Sequence, residues 1–166
     1  MADLTRAREL IDQLRLQPHP ERGYYAETYR ATSTVECSTH PAQRSASTAI
    51  YYLVTAEQPA TLLHRLLSDE IFHLYEGGPL SILRLFPDGS SDRPVLGWDL
   101  HAGQRPQLVI PAGTWFGAEL DGAASHCLVG CTVAPGFDFA DFELARGPEL
   151  AERYSEAANS IRRMFR

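Results

Sequence analysis

The sequence predicts an all-β domain, an antiparallel sandwich or barrel, with a helix near each end. Three observations carry this. Strand-sized runs recur at short intervals from residue 23 to residue 134. Turn chemistry separates them, at Gly77-Gly78, Pro87-Asp88-Gly89-Ser90, Ala102-Gly103 and Asp121-Gly122. Helical spacing of apolar residues occurs only near the two ends. With 166 residues, 44% of them hydrophobic, the chain has material for one core, and residues 1–166 read as a single domain.

The first element is a helix over residues 4–15, where Leu4, Ala7, Leu10, Ile11 and Leu14 repeat at helical spacing. Asp3 is placed to cap it, and Gln17-Pro18-His19-Pro20 to end it. Gly23 to Tyr29 is aromatic and alternating, a strand. Residues 31–43 are polar and read as a loop. Ser47 to Val54 is a strong strand. Further strands are expected at 60–66, 70–76, 79–86, 94–99, 106–110, 114–119 and 126–134. The run from Phe137 to Phe142 alternates phenylalanine with small or acidic residues. It reads as an edge or interface strand with its aspartates in water. Gly147-Pro148-Glu149 opens a final helix with Leu150, Tyr154, Ala157, Ile161 and Phe165 on one side.

Charge narrows the function. The formal net charge is −6, so there is no basic field for nucleic acid or anionic lipid, and neither partner is expected. All 15 basic residues are arginine, which removes a Schiff-base lysine and a lysine phosphate loop. The first residues carry no apolar run of a signal peptide, and no stretch reaches membrane-spanning length, so a cytoplasmic location is expected. Cys37, Cys127 and Cys131 are an odd count, against a disulfide framework. Cys127 and Cys131 share a strand face and read as small buried hydrophobes.

The segment from His64 to Gly77 carries the chemistry. It reads as a strand ending near Leu66, a turn at Ser68-Asp69, and a strand from Glu70. Glu70, Phe72 and Leu74 then share one face, with His73 and Tyr75 on the other. A hairpin would set His64 opposite Glu70. An imidazole beside a carboxylate in an apolar barrel mouth makes a base with its orienting partner, or half of a metal site.

His64, Glu70 and Gly77 resemble the first motif of the cupin superfamily, with Leu66 at its second histidine position. Gly103, Pro111 and Gly113 resemble the second motif, with Phe116 where its last histidine ligand would stand. His19 to Tyr25, Thr48 to Leu53, His64 to His73 and Val129 to Phe139 look like the DUF985 (Cupin_5) family of cupins, from about residue 9 to residue 144. Arg22 to Glu27 is also similar to a segment of dTDP-4-keto-6-deoxyglucose 3,5-epimerases. The resemblance implies a double-stranded β-helix, a jelly-roll barrel with short N- and C-terminal helices.

It also implies a small-molecule site in the barrel mouth. The leading reading is metal-independent epimerisation or isomerisation of a sugar-like or carbonyl compound. His64 would take a proton next to the carbonyl, Glu70 would orient the imidazole, and a tyrosine, Tyr24 first, with Tyr25 and Tyr51 as alternatives, would return the proton. Arg22 and Arg65, and also Arg84, would clamp a phosphate or carboxylate. Tyr25, Tyr51, Phe72, Trp115 and Phe116 would bind the substrate, or else pack the core. No cofactor is expected. With Leu66 and Phe116 in ligand positions no metal is expected either, unless His126 points inward. A non-catalytic binding module and a metal-dependent cupin enzyme remain alternatives. A homodimer is expected, with the Phe137–Phe142 segment offering surface to a partner.

Overall fold

The computed structural model describes residues 4–122, 124–146 and 149–165. In chain order the elements are α1 (Thr5–Leu14), β1 (Gln17–Pro18), β2 (Tyr24–Arg30), β3 (Thr34–Val35), β4 (Arg44–Ser45), β5 (Thr48–Thr55), β6 (His64–Arg65), β7 (Asp69–Gly77), β8 (Leu80–Leu85), β9 (Ser91–Asp92), β10 (Val95–Leu96), β11 (Gln107–Ile110), β12 (Trp115–Leu120), β13 (His126–Ala134), β14 (Glu143–Leu144), α2 (Glu149–Arg153) and α3 (Ala158–Met164).

Two antiparallel sheets face each other. The first has the order β1-β2-β5-β13-β7-β11, the second β10-β8-β12-β6-β14, with β9 on β8; β3 and β4 form a separate ribbon. From β5 to β8, and again from β11 to β14, the chain changes sheet at each strand. Sequence neighbours there face each other across the core instead of pairing, which is the winding of a double-stranded β-helix. The expected hairpin between His64 and Glu70 is therefore absent. His64 pairs with Phe116 and Leu144 in the second sheet, while Glu70 pairs with Val133 and Ile110 in the first.

Tyr52, Val54, Phe72, Leu74, Leu80, Ile82, Phe116 and Val129 fill the space between the sheets. The helices cover the outer faces. Leu10 of α1 packs with Leu53 and Leu128. Tyr154, Ile161 and Met164 pack on Leu63, Leu83, Leu85 and Trp115. β8 is accordingly apolar on both faces, since both are covered.

Several expectations change. Asp3, the expected cap of α1, lies outside the described residues. The helix ends earlier, at Arg15 in the left-handed conformation (φ 54°), with Leu16 N–H donating to Ile11 O at 2.9 Å. The run 60–66 forms a strand only at His64–Arg65, and 94–99 only at Val95–Leu96, where Trp98 and Leu100 beyond it face solvent. The tail is two short helices joined by a 3₁₀ turn at Ser155–Ala157; Gly147 and Pro148 lie outside the described residues. Phe137–Phe142 is not a strand. Phe139–Asp141 is a 3₁₀ turn capped by the Asp138 side chain, and Asp141 is buried on Arg44 at 2.7 Å instead of standing in water. No helix among the described residues is long and apolar enough to cross a membrane.

Candidate functional site

Four adjacent strands build one wall of a cavity of about 290 Å³. Side chains alternate across a strand, so every second residue faces inward. These are Tyr25 on β2, Thr48, Ile50 and Tyr52 on β5, Cys131 and Val133 on β13, and Glu70 on β7. His64 and Leu66 approach from the second sheet. His19 and Glu21, between β1 and β2, and the Phe137–Phe142 segment close the mouth.

The centre of the site is a buried pair. Nδ1 of His64 lies 2.8 Å from the carbonyl of Leu62, which can only accept, so Nδ1 carries a proton. Nε2 lies 3.0 Å from Oε2 of Glu21. Burial alone would push the imidazole pKa down, but the Glu21 carboxylate outweighs it and the net shift is upward. Burial likewise pushes Glu21 up, and His64, then His19 and the Tyr52 hydroxyl, bring it below its ordinary value. Both shifts favour the pair as imidazolium and carboxylate. Its orienting carboxylate is thus Glu21, which the sequence reading passed over, and not Glu70. His64 already holds the proton a base would need to accept.

Glu70 is the opposite case. It is 7% exposed, and the Cys131 thiol donates a hydrogen bond to it. Burial first, and the Glu21 charge second, raise its pKa to about 7, against the pull of His64. A carboxyl that exchanges its proton near neutrality, buried in the wall of a cavity, has the properties of a general acid or base.

His19 is neutral. Its Nδ1 accepts the backbone N–H of Glu21 at 3.3 Å, and burial lowers its pKa. The same nitrogen lies 3.5 Å from Oε2 of Glu21, a contact that would need a proton there; the downward shift favours the neutral ring. The proton is then on Nε2, for which no described residue supplies an acceptor. The His19 ring meets Tyr25 edge-on at 4.7 Å and stacks over Phe139 at 6.2 Å.

The structure gathers only some of the expected site residues. His64, Glu70 and Tyr25 line the cavity. Tyr24 and Tyr51 have the opposite strand parity and lie on the outer face, beside α1. Arg22 turns away, with its guanidinium on the carbonyls of Ala60 and Met164 at 3.3 and 3.4 Å. Arg65 pairs with Glu143 at 2.7 Å and lies over the Trp115 ring, which packs under the C-terminal helices. Arg84 pairs with Asp92. Phe72 and Phe116 are core residues behind the cavity; Phe116 backs His64 at 4.1 Å. His126 bonds to Ser125 and Glu76, away from the cavity. His73 is on the outer face as expected, bonded to Thr132. Cys127 and Cys131 are both buried in the core, and burial raises the Cys127 thiol to about 12.

The donor set does not fit the metal that cupins of this motif pattern can hold. Two of the four ligand positions carry hydrocarbon, Leu66 and Phe116, and both ring nitrogens of His64 are engaged by Leu62 and Glu21. Among the described residues no three His, Cys, Asp or Glu side chains converge on a point that would hold an ion.

Residues 8–145 match the family model described as the cupin superfamily (DUF985). The chain belongs to this family. This DUF985 cupin is 30% identical over 153 residues to the uncharacterised protein YML079W of Saccharomyces cerevisiae, across 85% of this chain and 76% of the yeast one. A structure of a hypothetical protein from Leishmania major superposes with a TM-score of 0.88 at 35% identity, covering 95% of this chain and 97% of that one. An uncharacterised protein from Klebsiella pneumoniae with a double-stranded β-helix domain shares the fold, with a TM-score of 0.51 at 13% identity over 82% of this chain and 94% of that one.

Proposed function

We propose that this cupin binds a small carbonyl compound in the barrel mouth and moves a proton on the carbon beside the carbonyl, an epimerase- or isomerase-like reaction. The observation that carries the reading is Glu70, a buried carboxyl raised to about 7 in a cavity closed by aromatic rings. The Glu70 carboxylate takes the proton from the carbon. The C–H electron pair becomes the C=C bond of an enolate, and the carbonyl pair moves onto oxygen. His19 Nε2–H is the donor at hand for that oxygen. Tyr25 alone of the three candidate tyrosines faces the cavity, three strands from Glu70 and level with Leu74, four residues further along the same strand. Both line the cavity, and the Tyr25 hydroxyl returns a proton to the ligand from the far side of the wall. Burial raises the Glu70 pKa, and the His64–Glu21 pair beside it acts in both directions, the carboxylate raising it and the imidazole lowering it. The three free thiols suit the reducing cytoplasm in which we place it.

Mass spectrometry of the co-purifying compound, followed by proton exchange of that compound in D2O, tests the reading. Wild-type protein should exchange the acidic C–H, and Glu70→Gln should exchange it about 100-fold more slowly. Tyr24→Phe should exchange normally. A bound compound with no acidic C–H, or exchange unchanged in Glu70→Gln, sinks the proposal and leaves a binding module.

A further inference from the structure

We infer that the occupant of the cavity is a small organic cation, a protonated amine whose charge lies against the aromatic mouth while its carbonyl end meets Glu70. This rests on the cavity being the functional site and adds the class of compound.

The charge balance of the lining comes first. Four carboxyl side chains, Glu21, Glu27, Glu70 and Asp138, line the cavity with two cationic ones, His64 and Arg30. Both cations are committed. His64 holds Glu21 at 3.0 Å. Arg30 grips both oxygens of Glu27, at 3.0 and 2.7 Å, and the carbonyl of Phe137 at 3.1 Å. Among the described residues Glu70 has only the Cys131 thiol as donor. A carboxylate or phosphate entering here would meet the buried Glu70 and Glu21 carboxyls and, among the described residues, no uncommitted cation. A positive charge would meet the reverse, and would favour the ionised form of Glu70 that proton abstraction needs.

The mouth fits the same sign. Phe137, Phe139 and Phe142 lie within 5.0–6.1 Å of one another, with Tyr25 joined to them through His19. Aromatic faces attract cations, most strongly where water is excluded. The Asp138 carboxylate beside them accepts the Ala140 N–H, and its charge also faces Arg30 and Arg44. Size agrees as well. A cavity of about 290 Å³ lies at the small end of ligand sites. The nucleotide of a nucleoside diphosphate sugar would have to stand outside it, and the arginines expected to clamp a phosphate, Arg22 and Arg65, are bound elsewhere.

The chemistry closes the argument. An enolate formed beside Glu70 adds negative charge where no protein cation is uncommitted. An ammonium on the substrate, next to the carbonyl, acidifies the C–H and keeps the enolate electrically neutral as a zwitterion. The proton bookkeeping is unchanged: one proton leaves carbon for Glu70, and one returns from Tyr25.

Isothermal titration with three probes of similar shape tests this: benzylammonium, benzyl alcohol and benzoate, near pH 6 and pH 8. Benzylammonium should bind roughly 10-fold more tightly than the alcohol, and benzoate more weakly than either. Its affinity should rise from pH 6 to 8 as Glu70 ionises, and that of the alcohol should not. Glu70→Gln should narrow the cation preference and remove its pH dependence; the pH series on wild-type protein gives the same answer if the variant does not fold. Equal binding of alcohol and ammonium, benzoate binding best, or no binding by any probe overturns the inference. A cation preference without any proton exchange sinks the catalytic reading alone. Proton exchange on a neutral carbonyl compound without a cation preference sinks this inference alone.

Discussion

Replacing Glu70 by glutamine keeps the shape and the acceptor for Cys131 but removes a titration. At low pH the carboxyl is protonated in folded and unfolded chains alike, and variant and wild type should be equally stable. As pH rises past about 4.5, the unfolded chain ionises while folded Glu70 keeps its proton up to about 7. The folded state then binds more protons than the unfolded one, so wild-type stability falls through this window and levels off above it. The displacement of the pKa from 4.5 to about 7 corresponds to about 3 kcal/mol. Glu70→Gln should therefore match wild type near pH 4 and exceed it by about 3 kcal/mol near pH 8, roughly 6–12 °C in Tm for a chain of this size. Urea unfolding across that range measures it. Parallel stability curves for the two proteins would mean that Glu70 titrates normally, and the proton-transfer role would go with it.

Glu21→Gln should act in the other sense, destabilising by about 1–3 kcal/mol at neutral pH because the buried His64 loses its charge partner and gives up a proton; nitrogen NMR should then show His64 neutral, with its proton on Nδ1. Phe139 is 52% exposed yet lines the cavity, so Phe139→Ala should cost under about 1 kcal/mol of stability while weakening benzylammonium binding several-fold by titration. Light scattering should give the mass of a dimer. Since the Phe137–Phe142 segment is folded over the cavity, the outer face of the first sheet, with Tyr29, Tyr75 and Val109 exposed, is the surface offered to the second copy, and a monomer mass would reject this.

The outer form of the molecule was legible in the residues. Alternation, turn chemistry and helical spacing place the main strands of both sheets within a residue or two, because those signals are local and their periods differ. The His64–Gly77 and Pro111–Gly113 motifs identify the winding, and they put His64 and Glu70 in one cavity. What the residues alone left open was which partner each would meet. Tyr24 and Tyr25, or Tyr51 and Tyr52, differ by one step along a strand, and only the packing of α1 on one face decides which step points inward. Glu21 shows no motif of its own; it reaches His64 because the chain folds the 19–21 turn across the barrel mouth, 43 positions away in sequence. The pKa values follow from that meeting. One buried carboxylate is matched by an imidazolium and stays ionised, and the second finds no such partner and keeps its proton to about 7. Charge in a low-dielectric interior depends on distances between residues remote in sequence, so it is settled by tertiary structure, whereas strand periodicity is settled by the neighbours each residue already has.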